Sequence, residues 1–171
     1  DTWRETAVYP GMSAGVNSMG FTPSGRSLVL GVNGSAVRWN FQPEPESAGP
    51  AGHLDEAWAA SFSSDGGFLA TGSDDTDDPQ TLKLWDVETG KLVRGWKPHP
   101  AMTSALAFQP GGRILASAGM KVKSNLCLWD AETGNLLATL DGHSDKVRAL
   151  AFSPDGRLLA SAGNDLAIRL W

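Results

Sequence analysis

The sequence predicts an all-β fold made of four copies of one unit, and three observations carry that prediction. Four segments each run from a Phe through a turn and an apolar stretch to a Trp: Phe21–Trp39, Phe62–Trp85, Phe108–Trp129 and Phe152–Trp171. Successive Trp residues stand 46, 44 and 42 positions apart. The apolar stretches are short and are punctuated by Pro, Asp, Asn and Gly, with turn signals roughly every 8–12 residues. A period of about 40–50 residues marks repeats that stack on one another.

Taken in order, Asp1–Pro10 aligns with the stretch after the Trp of the later repeats, so it is expected to be the outer strand of an adjoining unit, with Trp3 and Val8 packing. The repeats then occupy about 11–43, 52–96, 97–140 and 141–171, within a single segment 1–171. Between the first two, Asn40–Gly52 holds Pro43, Pro45 and Pro50 and reads as an irregular outer strand and connector. Repeat four is the cleanest. Val147–Phe152 is a buried strand, and Ser153-Pro154-Asp155-Gly156 is a hairpin turn in which Pro154 presets one backbone angle and Asp155 can bond its own backbone. Leu158–Ala162 returns, Gly163-Asn164-Asp165 turns again, and Ala167–Trp171 is a third strand with Ile168 and Leu170 on one face and Arg169 and Trp171 on the other. Repeats two and three continue past the Trp through Asp86–Gly90 and Asp130–Gly134 into fourth strands, Lys91–Trp96 and Asn135–Leu140.

One four-stranded antiparallel sheet cannot bury both of its faces; copies arranged radially can. A linear solenoid is the competing arrangement, but hairpins suit propeller blades better than coils. The expected fold is therefore an all-β propeller segment with four blades of four antiparallel strands.

Composition narrows the function. Hydrophobic residues make up 41% of the 171-residue chain, enough for a packed interior, and charged residues only 19%. The net charge of -5 argues against a nucleic-acid partner, which needs a basic footprint. No apolar run is long enough to span a bilayer, so no membrane partner is expected. Cys127 is alone, which excludes an intrachain disulfide and fits a reducing, cytoplasmic setting. No basic-then-apolar leader precedes the repeats, and the start at Asp1 reads as an internal piece of a longer protein.

Three histidines, His53, His99 and His143, each precede their repeat's Phe by nine residues. That regularity predicts a structural role rather than catalysis or metal binding, and no cofactor is expected. No Gly-x-Ser-x-Gly elbow or phosphate-binding glycine loop is present. The run Asp74-Asp75-Thr76-Asp77-Asp78 could hold calcium, but it lacks the Asp-x-Asp-x-Asp-Gly order and distant Glu of a helix-loop-helix site, and a solvated hairpin tip is the favoured reading.

Gly142-His143, Phe152-Ser153-Pro154-Asp155-Gly156, Trp85-Asp86 and Trp129-Asp130 resemble the WD-repeat signature, in register over nearly the whole chain. The resemblance implies a ring of seven or eight blades, of which this chain is an open arc; closure of four blades on themselves, or of two arcs into eight, are the alternatives. It also implies a buried hydrogen-bond chain in each blade. In repeat four this joins Asp165, His143, Ser161 and Trp171; in repeat two Asp75, His53, Thr71 and Trp85. Repeat three keeps His99, Ser117 and Trp129 but has Met120-Lys121 where the acid belongs. Repeat one keeps Trp39 and is expected to place Gly31 at the Ser/Thr position.

By the same resemblance, loops on one rim would bind a protein or peptide partner. Candidates are Met102 and Lys146, with Glu56 and Lys97, in loops leading into inner strands; Asp74, Lys121 and Asn164 in second-turn loops; and Arg148 at a strand start. The function expected is a non-catalytic interaction scaffold, with further blades of a parent chain or a second copy as other partners. The alternative is a regulatory or sensor segment of a larger bacterial signalling protein such as a serine/threonine kinase. Channel chemistry is disfavoured because the inner strands start mostly with Ala, Ser, Thr and Val.

Overall fold

A computed structural model describes residues 16–21, 27–32, 35–40, 57–74, 79–100, 102–119 and 126–171. The expected strand at 1–10, the proline connector, His53, Asp75 and Lys121 lie outside these residues. The described residues are all-β. Blade one holds β1 (Val16–Phe21), β2 (Ser27–Val32) and β3 (Ser35–Asn40). Blade two holds β4 (Ala57–Phe62), β5 (Phe68–Ser73), β6 (Leu82–Asp86) and β7 (Leu92–Trp96). Blade three holds β8 (Thr103–Phe108), β9 (Ile114–Gly119), β10 (Leu126–Asp130) and β11 (Leu136–Thr139). Blade four holds β12 (Val147–Phe152), β13 (Leu159–Gly163) and β14 (Ile168–Leu170). Strands pair antiparallel with their chain neighbours, and β1, β4, β8 and β12 lie side by side as the innermost strands. The described sheets of blades two and three have four strands and those of blades one and four have three, the stretch expected to hold the fourth strand of blade one lying outside the described residues.

The ladders repeat in detail. Phe21, Phe62, Phe108 and Phe152 pair with Leu28, Leu69, Leu115 and Leu159, seven residues on in each case. Two ladder steps further, Thr71, Ser117 and Ser161 face Ala60, Leu106 and Leu150, and in blade one the matching pair is Met19 and Leu30. The Ser/Thr position of blade one is thus Leu30, not Gly31, because its first hairpin is as long as the others.

Each inner strand also carries a β-bulge at its second residue, between Val16 and Ser18, Ala57 and Ala59, Thr103 and Ala105, and Val147 and Ala149. The extra residue re-aims one side chain at the strand's entrance.

The first hairpins close through side chains. Ser63 Oγ and Ser153 Oγ donate to Asp65 and Asp155 and accept from the amides of Phe68 and Leu158. Gly66, Gly111 and Gly156 take positive φ angles that these turns require.

The core lies between blades. Ala59, Ala70 and Leu84 of blade two pack against Leu106, Phe108 and Leu115 of blade three. Spacing is tight: a Cβ built on Gly72 would fall 2.7 Å from Thr103 Cγ2, so small residues on one face are a condition of stacking. At the ends the faces are open. Ile168 and Leu170 are 79% and 68% exposed, and Met19 and Phe21 are 68% and 63% exposed. Exposed apolar side chains at both ends of the row suit the expected arc of a larger ring.

Candidate functional site: a three-blade rim

The His99 and His143 imidazoles are buried. In blade four Trp171 Nε1–H donates to Ser161 Oγ at 2.9 Å, Ser161 Oγ lies 2.8 Å from His143 Nε2, and His143 Nδ1 lies 2.9 Å from both carboxylate oxygens of Asp165. The tautomer is set by elimination: a carboxylate only accepts, so Nδ1 carries the proton and Ser161 donates to Nε2. The Asp165 carboxyl also accepts from the amides of Ser144 and Ala167, and its pKa is drawn down to about 2, chiefly by the His143 bond.

In blade three Trp129 donates to Ser117 at 2.9 Å and Ser117 meets His99 Nε2 at 2.9 Å. Burial pushes the His99 pKa down to about 4, which keeps the ring neutral. In blade two Trp85 donates to Thr71 at 2.8 Å. These side chains are occupied in holding strands together and are closed to a substrate. Among the described residues no group of three His, Cys, Asp or Glu is arranged to hold a metal ion, and no helix is long and apolar enough to cross a membrane.

At the rim where the inner strands begin, three blades converge. Lys146, just before β12, is buried, and its Nζ–H donates to Met102 Sδ at 3.1 Å. The same ammonium sits 5.9 Å from the ring centroid of Trp58, the bulge residue of β4. Burial first and Arg148 second lower the Lys146 pKa, while Asp74 acts against them. Arg148, the bulge residue of β12, donates from Nε to Asn164 Oδ1 at 2.9 Å. The amide of Asn164 donates to the Lys146 carbonyl, which ties the β13–β14 turn to the same rim. Polar capacity is left over here: among the described residues the hydroxyls of Ser73, Thr81 and Thr103 and one oxygen of Asp74 are buried without a hydrogen-bond partner.

Of the residues named from sequence, the structure therefore gathers Met102 and Lys146, within the field of Asp74, and pairs Arg148 with Asn164. Lys97 is only placed in the β7–β8 connection, and Glu56 and Lys121 fall outside the described residues. Two residues were missed. Trp58, 39% exposed, sits on a bulge, where the period-two alternation of a strand does not predict a face. Leu166, 97% exposed, holds a positive φ of 61° in the turn beside Asn164, and no sequence pattern marks a leucine for that conformation. A groove of about 480 Å³ between blades two and three, lined by Phe68, Leu84, Val93 and Arg113, opens at the opposite, hairpin end of the inner strands.

Residues 50–86 and 134–171 match a family model described as WD domain, G-beta repeat. Over 105 residues the chain is 32% identical to Pre-mRNA-processing factor 19 homolog 2 of Arabidopsis thaliana, covering 60% of this chain and 18% of that protein. Over 75 residues it is 35% identical to eukaryotic translation initiation factor 3 subunit I of Phaeosphaeria nodorum, covering 44% and 21%. The chain thus spans about a fifth of the length of these curated relatives. Among solved structures, U3-55K superposes with a TM-score of 0.78 at 22% identity, over 95% of this chain and half of that one. The computationally designed Ika4 protein superposes with a TM-score of 0.80 at 25% identity, over 99% of this chain and 98% of that one.

Proposed function

This chain belongs to the WD-repeat family of β-propellers, and from that premise we propose that it is a non-catalytic docking platform whose three-blade rim takes an acidic peptide segment of a protein partner. One observation carries the reading. The Lys146 ammonium is buried and has three hydrogens to donate, yet among the described residues its one hydrogen bond goes to a thioether, a weak acceptor. A carboxylate from a ligand would supply the missing acceptor, Arg148 would add to the attraction, and the half-open Trp58 ring would take an apolar neighbour of that acid. The unpartnered Ser73, Thr81 and Thr103 hydroxyls offer further bonds to a peptide backbone.

The bacterial signalling-kinase reading gains no support from these relatives. A reducing, cytoplasmic setting suits Cys127, which is buried and whose thiol is pushed up to about 11 by burial and by Asp141, making it an inert packing group.

The test is a peptide-display selection on the full chain followed by calorimetry. Selected peptides are expected to share a carboxylate next to an apolar residue, and Lys146→Gln is expected to weaken them about tenfold or more with unchanged circular dichroism. Peptides lacking a shared acid, or affinity indifferent to Lys146→Gln, would remove this rim from the binding surface.

A further inference from the structure

The hairpin ends of two neighbouring blade junctions differ. Between blades three and four, Gln109 follows the Phe of β8 and reaches across to the next turn, where its Nε2–H donates to the Gly156 carbonyl at 2.9 Å. A Cβ built on Gly156 would fall 3.1 Å from Gln109 Cγ, so this side chain occupies the gap. Between blades two and three the matching residue is Ser63. It is too short to span, and it donates back to Asp65 of its own turn at 2.6 Å. Blade three faces it with Gly111 and Gly112, and a Cβ on Gly111 would meet nothing within 4 Å. The amide of Gly111 donates to Ser64 Oγ at 3.1 Å and ties the two turns together, but the space above stays open. That space is the groove of about 480 Å³, within the range of about 300–1,000 Å³ usual for ligand sites. Its walls belong to two inner blades, so it does not depend on what precedes or follows the chain.

The floor is apolar, with Leu84, Phe108 and Ala131 buried beneath it. Phe68 and Val93, 37% and 48% exposed, stand as its walls. A bulge supplies the second wall: Leu92 pairs with Trp85 and Arg94 with Leu84, which leaves Val93 as the extra, re-aimed residue of β7.

The charged residues of the lining are Asp65, Arg113 and Glu132. Arg113 is already held, its Nε 3.0 Å from Asp130 and its Nη1 3.0 Å from Glu132. Arg94, outside the lining, donates to the Glu132 carbonyl at 3.4 Å. Asp65 is kept ionised by hydrogen bonds from Ser63 and the Gly67 amide, and among the described residues no cation pairs with it. The groove therefore has an apolar floor and a lip with a carboxylate from each blade, on a chain whose net charge is -5.

We propose that this groove is a second peptide site, which takes a large apolar side chain flanked by Lys or Arg from a protein partner. The apolar side chain covers Phe68 and Val93, and its basic neighbour lays its stem along the wall and its charge against Asp65 or Glu132. The charge preference is opposite to that of the rim, so the two sites take different segments.

A phage-displayed library of random short peptides, selected on the chain carrying Lys146→Gln, tests this with the rim silenced. Enriched peptides are expected to share a Leu, Phe or Met beside a Lys or Arg, and to slow amide exchange at 63–68 and 109–113. Val93→Ser and Glu132→Lys, both at exposed positions, should each weaken them about fivefold with unchanged circular dichroism. Restoring Lys146 should leave their affinity unchanged, which separates this site from the rim. No enrichment, enriched peptides that are acidic or lack the apolar residue, affinity indifferent to Val93→Ser and Glu132→Lys, affinity that changes when Lys146 is restored, or protection at 144–148 in place of the hairpin turns each overturns the proposal.

Discussion

In blade four His143 is held at both ring nitrogens, by Ser161 and by Asp165; in blade three, among the described residues, the bond His99 makes is to Ser117, through one. The strands, the tryptophans and the hydroxyls correspond in the two blades, so the contrast isolates what the acid adds. With Asp165 the network terminates in a charge that hydrogen bonds from His143, Ser144 and Ala167 hold ionised. Without it the imidazole is governed by burial, which favours the neutral ring. The same residue at the same position is therefore held by a carboxylate in one blade and kept neutral by burial in the next.

The sharpest way to break this comparison is deletion. His143→Ala leaves Asp165 and Ser161 short of a partner in a buried site and is expected to cost about 3–4 kcal/mol. His99→Ala strands, among the described residues, the Ser117 hydroxyl alone and is expected to cost about 2 kcal/mol. Urea unfolding of both variants checks the ranking, and equal losses would mean that the carboxylate adds nothing.

Next in size is acid. The unfolded chain protonates His99 near its ordinary 6.5, the folded chain only near 4. Between those values the unfolded state binds more protons, so stability falls as pH drops from about 6.5 to about 4, by up to about 3 kcal/mol. Asp165 acts in a lower window: its folded pKa of about 2 lies below the ordinary 3.8, so its contribution is complete above that value and is lost as pH falls from about 4 to about 2. Melting temperatures of wild type and His99→Ala across this range should show the upper slope vanish in the variant and the lower one persist.

The smallest effect is local to blade four. Leu166 holds a left-handed backbone with a fully exposed side chain. Leu166→Asn is expected to raise stability by up to about 1 kcal/mol and to shift the melting temperature upward. No change would mean that the turn relaxes around the leucine.

Much of this was legible in the sequence. The Phe-turn-Trp period located the blades, because every blade must present the same anchors to its neighbours. The spacing of His143 marked it as structural, and the WD resemblance supplied its partners. The residues that stayed hidden share one main cause. A bulge at Trp58, Ser104 and Arg148 inserts a residue into each inner strand, and the period-two alternation counted from the Phe fails beyond it. The face of every rim residue, and so the meeting of Trp58, Met102 and Lys146, lay past the point where alternation carries information. The Met102–Lys146 contact spans two blades and has no local pattern. Gly31 was placed one residue off because blade one has Leu30, not a Ser or Thr, at the ladder position that registers the other blades.

The Ser-Asp turns at 63–68 and 153–158 have a kinetic consequence. Their side-chain bonds reach only two to five positions along the chain. A hairpin creased this way can form in microseconds with no help from its neighbours. The slow part of folding is then the assembly of finished hairpins face to face, where contacts are distant in sequence and loop closure has to come first.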